Sequence, residues 1–289
     1  MNVRVFAPAK INLTLEVGRP RNDGRHPLRS IVAFADVGDA LEVAAAPDLT
    51  LTITGPFADS LRTDETNMAM RAARALAAST GRTRSGAALK LTKNLPIASG
   101  IGGGSSDAAA ALKALNVLWG LGRDEAQLCA LARGLGADVS VCVHARSALM
   151  TGAGEEFAPL AMAPMEAVLV NPLRPLSTAA VYRQFDAMAL GTELDTRAPL
   201  QWGGEGRHGN DLETAAIALM PELRDMRFQL EALPGARHVG LSGSGATMFV
   251  ILDSGAAAHE SAAALRRVRP TWWIAPTRLG ALDPAAPPG

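Results

Sequence analysis

The chain contains few cysteines and carries no net charge, and each of these properties excludes a class of protein. Its 289 residues include only Cys129 and Cys142, which excludes a disulfide-built scaffold and predicts two buried thiols rather than a disulfide or a metal pair. With 28 basic and 28 acidic residues, the chain lacks the clustered basic excess of a broad nucleic-acid footprint. No apolar run reaches the roughly 18–20 residues that span a membrane, and the N-terminus has no signal-peptide pattern. We therefore predict a cytoplasmic protein with neither nucleic-acid nor membrane partners.

Lysine is also scarce, and arginine accounts for almost all of the basic side chains. The lysines are Lys10, Lys90, Lys93 and Lys113. In this background Lys10, which stands among small and apolar residues, is favoured as a functional residue. Lys10 and Asn12 are two residues apart in a predicted strand, so their side chains share one face. An edge strand with a solvated lysine is the alternative interpretation.

The most informative segment is a glycine cluster that leads into an alanine-rich run, Pro96-Ile-Ala-Ser-Gly-Ile-Gly-Gly-Gly-Ser-Ser-Asp107. Glycine lets backbone N–H groups turn toward a ligand, and serine and aspartate are residue types that begin helices. A helix N-terminus behind a glycine loop binds anions, so we predict a nucleotide-phosphate cradle. The chain has no Gly-Lys-Ser/Thr of a Walker A loop, and this segment lacks the Gly-x-Gly-x-x-Gly of dinucleotide folds. An ordinary turn before a capped helix is the alternative.

Two further segments of small residues contain candidate functional positions. Asp138 follows Gly134-Leu-Gly-Ala and precedes a valine-rich run. It is either a helix cap or a carboxylate in a partly dry pocket that accepts a proton from a substrate hydroxyl. The segment Leu241-Ser-Gly-Ser-Gly-Ala-Thr247 allows close approach of the backbone to a ligand or to another loop, and a hairpin turn is the alternative.

The pattern of elements predicts two α+β domains. In the first part we expect strands over 3–6, 11–17, 30–35, 40–43, 49–53 and 87–91, and helices over 67–78, 106–118 and 124–133. A boundary is expected within 152–164. In the second part we expect strands over 167–170, 237–241, 247–252 and 272–275, and helices over 177–185, 211–219, 221–233 and 256–268. The domains are assigned to 1–155 and 156–282, and 283–289, rich in proline and alanine, to a disordered tail.

Together these motifs have the order and spacing found in the GHMP kinases, and the resemblance runs over almost the whole chain. The motifs are Lys10-x-Asn12, the glycine loop, Gly136-Ala-Asp138 and Ser242-Gly-Ser-Gly-Ala-Thr247. Within that family the chain resembles the 4-diphosphocytidyl-2-C-methyl-D-erythritol kinases. The segments that carry this narrower resemblance are Ala9-Lys-Ile-Asn-Leu13, Arg21-x-Asp-Gly-x-His26, Ser177-Thr-Ala-Ala-Val-Tyr182 and Asn210-Asp-Leu-Glu213.

The resemblance implies a fold and an activity. The expected fold is a two-domain GHMP kinase, with an N-terminal ribosomal-protein-S5-like α/β domain that binds ATP and a C-terminal ferredoxin-like α+β domain. The expected reaction is transfer of a phosphoryl group from ATP, with Mg²⁺, to the C2 hydroxyl of cytidine diphosphate methylerythritol in the non-mevalonate isoprenoid pathway, by a monomer or homodimer. Two alternatives stay open: a GHMP kinase for another small alcohol, and a non-catalytic nucleotide or sugar sensor. The presence of both Lys10 and Asp138 favours an enzyme.

The resemblance also implies roles for the site residues. Asp138 takes the substrate hydroxyl proton, and Lys10 beside it helps to neutralise charge on the transferred phosphoryl group. The ATP phosphates are expected at Pro96, Gly100, Gly102, Gly103, Gly104, Ser105, Ser106 and Asp107, with Ser105 near the magnesium ion. The resemblance assigns no adenine contacts, and the 61–67 loop is the candidate segment for them. Substrate contacts are expected from Asn12, Arg25, His26, Tyr182 and Gly243, with His26 facing the cytosine edge.

Two residues depart from the family pattern. Arg25 stands where the family usually has a tyrosine that stacks on the cytosine, and a guanidinium plane can also stack on a base. Ser140 stands where proline is common.

Overall fold

The computed structural model describes residues 2–81, 86–198, 200–203 and 209–280, so the tail predicted over 283–289 lies outside the described residues. The strands are β1 (Asn2–Asn12), β2 (Glu16–Val17), β3 (Leu28–Ala45), β4 (Leu49–Thr54), β5 (Ala87–Thr92), β6 (Ala148–Thr151), β7 (Glu156–Pro159), β8 (Met165–Asn171), β9 (Ala236–Leu241), β10 (Met248–Leu252) and β11 (Trp273–Leu279). The helices are α1 (Met68–Ala78), α2 (Gly103–Leu118), α3 (Glu125–Ala132), α4 (Val139–His144), α5 (Thr178–Ala187), α6 (Glu213–Leu219), α7 (Glu222–Glu231) and α8 (Gly255–Val268).

The strand β3 connects the two halves of the molecule. It runs for 18 residues and pairs antiparallel with β1, β2, β5 and β6. It also meets the last strand, β11, where Ala35 pairs with Leu279. The C-terminal half follows the order β11-β8-β10-β9, with all neighbours antiparallel, which is the order of a ferredoxin-like sheet. The predicted pair of α+β units is therefore confirmed.

Helix α2 forms the centre of the N-terminal core. Its alanines from Ala108 to Ala111 are at most 2% exposed, and the helix packs against α1, β1 and β3. Small side chains let these elements approach closely. The two cysteines lie in the same core as free thiols, as predicted. None of the helices in the described ranges has the length and apolarity needed to cross a bilayer.

The predicted strand over 11–17 is only partly confirmed, because 11–12 belong to β1 and 16–17 to β2. Strand β1 ends at Asn12, and Leu15 makes an isolated bridge with Asn210 before β2 begins at Glu16. The alternation of apolar and polar residues does not mark an exposed face here, because every residue from Ala7 to Leu15 is buried. The Thr14 side chain is satisfied inside the protein, because its Oγ1 accepts a hydrogen bond from the Ile31 backbone N–H at 2.9 Å.

Other boundaries also differ from the predictions. The pieces predicted at 30–35 and 40–43 belong to the single strand β3. Helix α2 begins at Gly103 rather than at residue 106, because Gly102 adopts φ +66° and takes the N-cap position. Strands β6 and β7 were not predicted, and their pairing carries the N-terminal sheet to Pro159. The division at residues 155 and 156 stays a prediction.

Candidate active site

A cleft of about 600 Å³ lies where the glycine loop, β1, the start of α4, α5 and the 242–247 loop meet. Most of the predicted site residues line it. These are Lys10, Asn12, Pro96, Gly100, Gly102, Gly103, Gly104, Ser105, Asp107, Asp138, Tyr182 and Gly243. Ser106, Arg25 and His26 are not among the lining residues.

The central pair of the cleft is Lys10 and Asp138. Lys10 Nζ donates to Asp138 Oδ2 at 2.7 Å, and the lysine side chain is 5% exposed against 34% for the aspartate. Asp138 occupies the N-cap position of α4, but its side chain makes no capping hydrogen bond. The interpretation of its carboxylate as a helix cap is therefore wrong. In the described part of the chain, Oδ1 has no hydrogen-bond partner. The carboxylate is therefore held by a cation on one oxygen and is free to accept a proton on the other.

Asn12, at the end of β1, lines the same cleft and has an unused acceptor that is buried. Its Nδ2 donates to Ser30 Oγ at 2.7 Å, and its backbone N–H donates to Ser242 Oγ at 3.1 Å. Its Oδ1 is buried and has no partner. A buried acceptor left unpaired costs about 1–3 kcal/mol, which a donor on a bound ligand would recover.

The glycine loop delivers the N-terminus of α2 into the cleft beside Lys10. The first backbone N–H groups of a helix have no partner inside it, and the helix dipole adds positive potential there. A Cβ at Gly102 would lie 3.2 Å from the Cβ of Lys10, so glycine lets the helix start approach the lysine closely. Ser106 faces inward instead, since its Oγ donates to the Pro8 carbonyl at 2.6 Å and the residue is 1% exposed.

A second lysine lies beneath this loop. Lys93 Nζ contacts two buried carboxylates, Asp39 Oδ2 at 2.5 Å and Asp107 Oδ2 at 2.7 Å. A Cβ added at Gly103 would lie 3.1 Å from the same Nζ. Asp107 therefore lines the cleft and also belongs to a buried ion-pair cluster with Lys93 and Asp39.

The charges of this cluster do not balance, because one ammonium serves two carboxylates. Asp39 Oδ1 accepts hydrogen bonds from the backbone N–H groups of Asn94 at 2.6 Å and Leu95 at 2.9 Å. Asp107 Oδ1 is buried without a partner. Burial raises the pKa of Asp107 to about 7, although Lys93 opposes the shift. Burial lowers the pKa of Lys93, but the two carboxylates outweigh it and the pKa lies above its ordinary value.

The 242–247 loop supports the glycine loop from behind. It connects the antiparallel strands β9 and β10, which confirms the hairpin interpretation. Its small residues also let it lie close to the glycine loop. Ser242 Oγ donates to the Gly100 carbonyl at 3.0 Å, and the Thr247 N–H donates to the Ser99 carbonyl at 3.1 Å. A Cβ at Gly243 would lie 2.8 Å from the Gly100 carbonyl oxygen.

Two of the predicted base-binding residues, His26 and Tyr182, meet at α5. Burial, with the charge of Asp138, raises the pKa of Tyr182 to about 12. The His26 ring lies 4.9 Å from the Tyr182 ring and 5.9 Å from the Phe185 ring. Arg25 is exposed, and its backbone N–H donates to Asp23 Oδ1 at 3.0 Å. The structure thus brings His26 and Tyr182 together at one side of the cleft.

Sequence reasoning missed Lys93, Asp39 and Ser30. The scarcity of lysine could have indicated Lys93. Val37-Gly-Asp39 also belongs to the family resemblance, but no role followed from it, and nothing in the local sequence distinguishes Ser30 from an ordinary strand residue.

Comparison with known proteins agrees with this geometry. The model of the GHMP kinases N terminal domain matches residues 67–146, and the model of the GHMP kinases C terminal domain matches residues 197–270. A solved structure of 4-(cytidine 5'-diphospho)-2C-methyl-D-erythritol kinase superposes with a TM-score of 0.80 at 36% identity, covering 96% of this chain and 100% of that chain. A homoserine kinase from Cytophaga hutchinsonii shares the fold, with a TM-score of 0.70 at 20% identity over 95% of this chain and 94% of its own.

Curated relatives narrow the family. A 4-diphosphocytidyl-2-C-methyl-D-erythritol kinase of Methylorubrum extorquens is 48% identical over 286 residues, which cover 94% of this chain and 97% of that protein. The enzyme of the same name from Parvibaculum lavamentivorans is 44% identical over 282 residues, covering 95% and 97%. This chain belongs to the GHMP kinases and, within them, to the 4-diphosphocytidyl-2-C-methyl-D-erythritol kinase family.

Proposed function

We propose that this kinase transfers the γ-phosphoryl group of ATP to the C2 hydroxyl of 4-diphosphocytidyl-2-C-methyl-D-erythritol, giving the 2-phosphate and ADP. The observation that carries the proposal is the ion pair of Lys10 and Asp138, 2.7 Å apart in a cleft that also holds the glycine loop. The relatives' names supply the identity of the alcohol.

Asp138 acts as the proton acceptor. Its Oδ2 accepts the hydrogen bond of Lys10 Nζ, and its Oδ1 is free to take the proton of the substrate hydroxyl. Positioned acid–base groups contribute about 10²–10⁴-fold to such reactions. Lys10 also places a positive charge where the transferred phosphoryl group carries negative charge, and phosphoryl transfer depends mainly on positioning and charge neutralisation.

The start of α2 binds the phosphates. Backbone N–H groups of Gly103, Gly104 and Ser105 supply donors, and Gly100 and Pro96 shape the loop that holds them. Ser106 and Asp107 hold the start of α2 in place, since the Ser106 N–H already donates to the Gly102 carbonyl at 2.9 Å and both side chains are bound inside the protein. The adenine is proposed to lie beside the 61–67 loop, where Leu61, Thr66 and Asn67 line the cleft.

Magnesium is proposed to bind through the ATP phosphates. In the described part of the chain, no three His, Cys, Asp or Glu side chains come together as a metal site. Magnesium in such enzymes takes few protein ligands and several phosphate and water oxygens, so the cleft fits it without a dedicated cage. Ser105, which lines the cleft, would hold the ion, and the ion would neutralise charge on the phosphates.

The substrate is proposed to lie between Asn12, Gly243 and the corner formed by Arg25, His26 and Tyr182. Asn12 Oδ1 offers an acceptor to a substrate hydroxyl. The Tyr182 ring and the Arg25 guanidinium offer flat surfaces for the cytosine. We further propose that the enzyme works in the cytoplasm as a monomer or homodimer, and its two free thiols fit a reducing compartment.

ADP release tests the proposal directly. Purified protein is supplied with ATP, Mg²⁺ and the cytidylated substrate, and separately with homoserine, mevalonate or galactose. Turnover with the cytidylated substrate alone supports the proposal. Turnover with another alcohol would retain the kinase chemistry and reject this substrate. No turnover with any of them would favour a sensor.

A further inference from the structure

Asn210 belongs to a segment of the family resemblance, Asn210-Asp-Leu-Glu213, to which the proposed reaction gives no role. It precedes α6 and is not among the residues that line the cleft. Its carboxamide nevertheless contacts the 242–247 loop, whose Gly243 and Ser244 do line the cleft. We propose that Asn210 is a positioning residue, which fixes the 242–247 loop and through it holds the glycine loop in the shape that binds the ATP phosphates. This inference rests on the proposed function for the place of the phosphates.

The Asn210 side chain joins three backbone groups. Its Nδ2 donates to the Leu241 carbonyl at 2.8 Å and to the Gly243 carbonyl at 2.7 Å. Its Oδ1 accepts a hydrogen bond from the Leu212 N–H at 2.9 Å. A carbonyl only accepts and an N–H only donates, so these partners decide which way the carboxamide points. Both Nδ2 hydrogens are used, and neither an aspartate nor an alanine could make the same three bonds.

The two carbonyls that receive these bonds lie on either side of Ser242. Ser242 Oγ donates to the Gly100 carbonyl at 3.0 Å and accepts from the Asn12 N–H at 3.1 Å. Ser242 therefore connects the glycine loop to the end of β1. In the described ranges, no other hydrogen-bond donor reaches the Gly243 carbonyl oxygen. Removal of the Asn210 carboxamide would thus release the residues that flank Ser242.

The backbone around Asn210 is itself anchored to the N-terminal segment. The Leu15 N–H donates to the Gly209 carbonyl at 2.9 Å, and the Asp211 N–H donates to the Leu15 carbonyl at 2.8 Å. Leu15 closely follows β1, the strand that carries Lys10. Asn210 therefore takes its position from the same segment as Lys10 and passes that position to the 242–247 loop. The arrangement keeps the glycine loop aligned with the catalytic lysine.

Calorimetric titration with a non-hydrolysable ATP analogue and Mg²⁺ tests the proposal, because it needs no acceptor alcohol. In Asn210→Ala the Kd is expected to rise by about 10-fold to 100-fold, the range for two lost hydrogen bonds that leave a carbonyl unpaired. Asn210→Asp is expected to bind at least as weakly, since it is isosteric but turns a carboxylate toward two carbonyl oxygens. Asn210→Ser, which keeps one donor, is expected to lie between the wild type and Asn210→Ala, and it supplies the measurement if the alanine variant does not fold.

Asn116→Ala provides the matched control. Asn116 also joins backbone groups through its carboxamide, because Nδ2 donates to the Arg123 carbonyl at 2.9 Å and Oδ1 accepts from the Arg123 N–H at 3.1 Å. It lies near the end of α2 and does not line the cleft. This variant is expected to unfold at a lower urea concentration with an unchanged Kd for the analogue. An unchanged Kd in the folded Asn210 variants, or an equal rise in Asn116→Ala, would overturn the proposal.

A double variant tests whether Asn210 acts through the 242–247 loop. Ser242→Ala removes the hydrogen bond to the Gly100 carbonyl. In Asn210→Ala/Ser242→Ala the rise in Kd is expected to be smaller than the product of the two single rises, because both act on one contact. A rise equal to that product would overturn the proposed route. ADP release is measured separately: no turnover of the cytidylated substrate with intact analogue binding rejects the proposed substrate, whereas an unchanged Kd rejects the role of Asn210.

Discussion

Alanine at Gly100 tests the contact between the two loops that shape the phosphate site. Gly100 has φ +76°, and a Cβ there would lie 2.4 Å from the Ser242 carbonyl oxygen and 2.7 Å from the Gly245 carbonyl oxygen. Backbone atoms cannot turn aside as a flexible side chain can. The left-handed conformation alone costs an alanine about 1–2 kcal/mol, and overpacking adds about 1–3 kcal/mol. The expected loss in the free energy of unfolding is therefore about 2–5 kcal/mol.

Gly120→Ala isolates the steric part of this loss. Gly120 also has a positive φ, +60°, but nothing lies within 4 Å of its added Cβ, so only the conformational cost of about 1–2 kcal/mol is expected. Urea unfolding followed by circular dichroism gives both values, and the KM for ATP is measured alongside. We expect Gly100→Ala alone to raise the KM for ATP, because the displaced loop carries the N–H groups that we propose bind the phosphates. Equal destabilisation of the two variants would refute the close contact between Gly100 and the 242–247 loop.

Three further perturbations test the site and its surroundings. Asp138→Asn keeps the size of the side chain but loses the proton acceptor, so kcat is expected to fall by about 10²–10⁴-fold with ATP affinity retained; a kcat close to that of the wild type would reject Asp138 as the base. The native state binds a proton at Asp107 more tightly than the unfolded chain does, because the pKa of Asp107 is raised from 3.8 to about 7. The free energy of unfolding should therefore fall as pH rises between these values. Urea titrations at several pH values should show this fall in the wild type and a shallower one in Asp107→Asn. Both thiols should resist Ellman's reagent in the native protein and react after unfolding. The reason is that burial raises the pKa of Cys142 to about 12 and that of Cys129 above its ordinary value. Rapid labelling of the native protein would contradict the buried placement.

Local sequence predicted the elements whose signals are themselves local. Asn67 begins α1 by accepting from the Ala69 N–H, and Asp124 begins α3 with a capping box that includes Gln127. Strand β4 and most of the C-terminal elements also lie close to their predicted positions. These features depend on residues within a few positions of one another, and so a single segment contains the information.

Features that depend on distant partners were not predicted. The strand expected at 11–17 breaks after Asn12, because the segment is buried between the two halves and bonds to Ile31 and Ser30 rather than following its own alternation. Lys93 finds Asp39 across 54 residues, and His26 meets Asp186 only once α5 is packed. Lys10 and Asp138 were paired through resemblance to a family, since 128 residues separate them and no local pattern connects them.

The support of the glycine loop by the 242–247 loop has a consequence for the newly made chain. On the ribosome the N-terminal part emerges first and begins to fold before the rest is synthesised. Lys10 and Asp138 can meet once α4 has emerged, but the Gly100 carbonyl receives its bond from Ser242 more than a hundred residues later. A chain that ends before Ser242 can therefore bring Lys10 and Asp138 together, but it lacks the contact that supports the glycine loop.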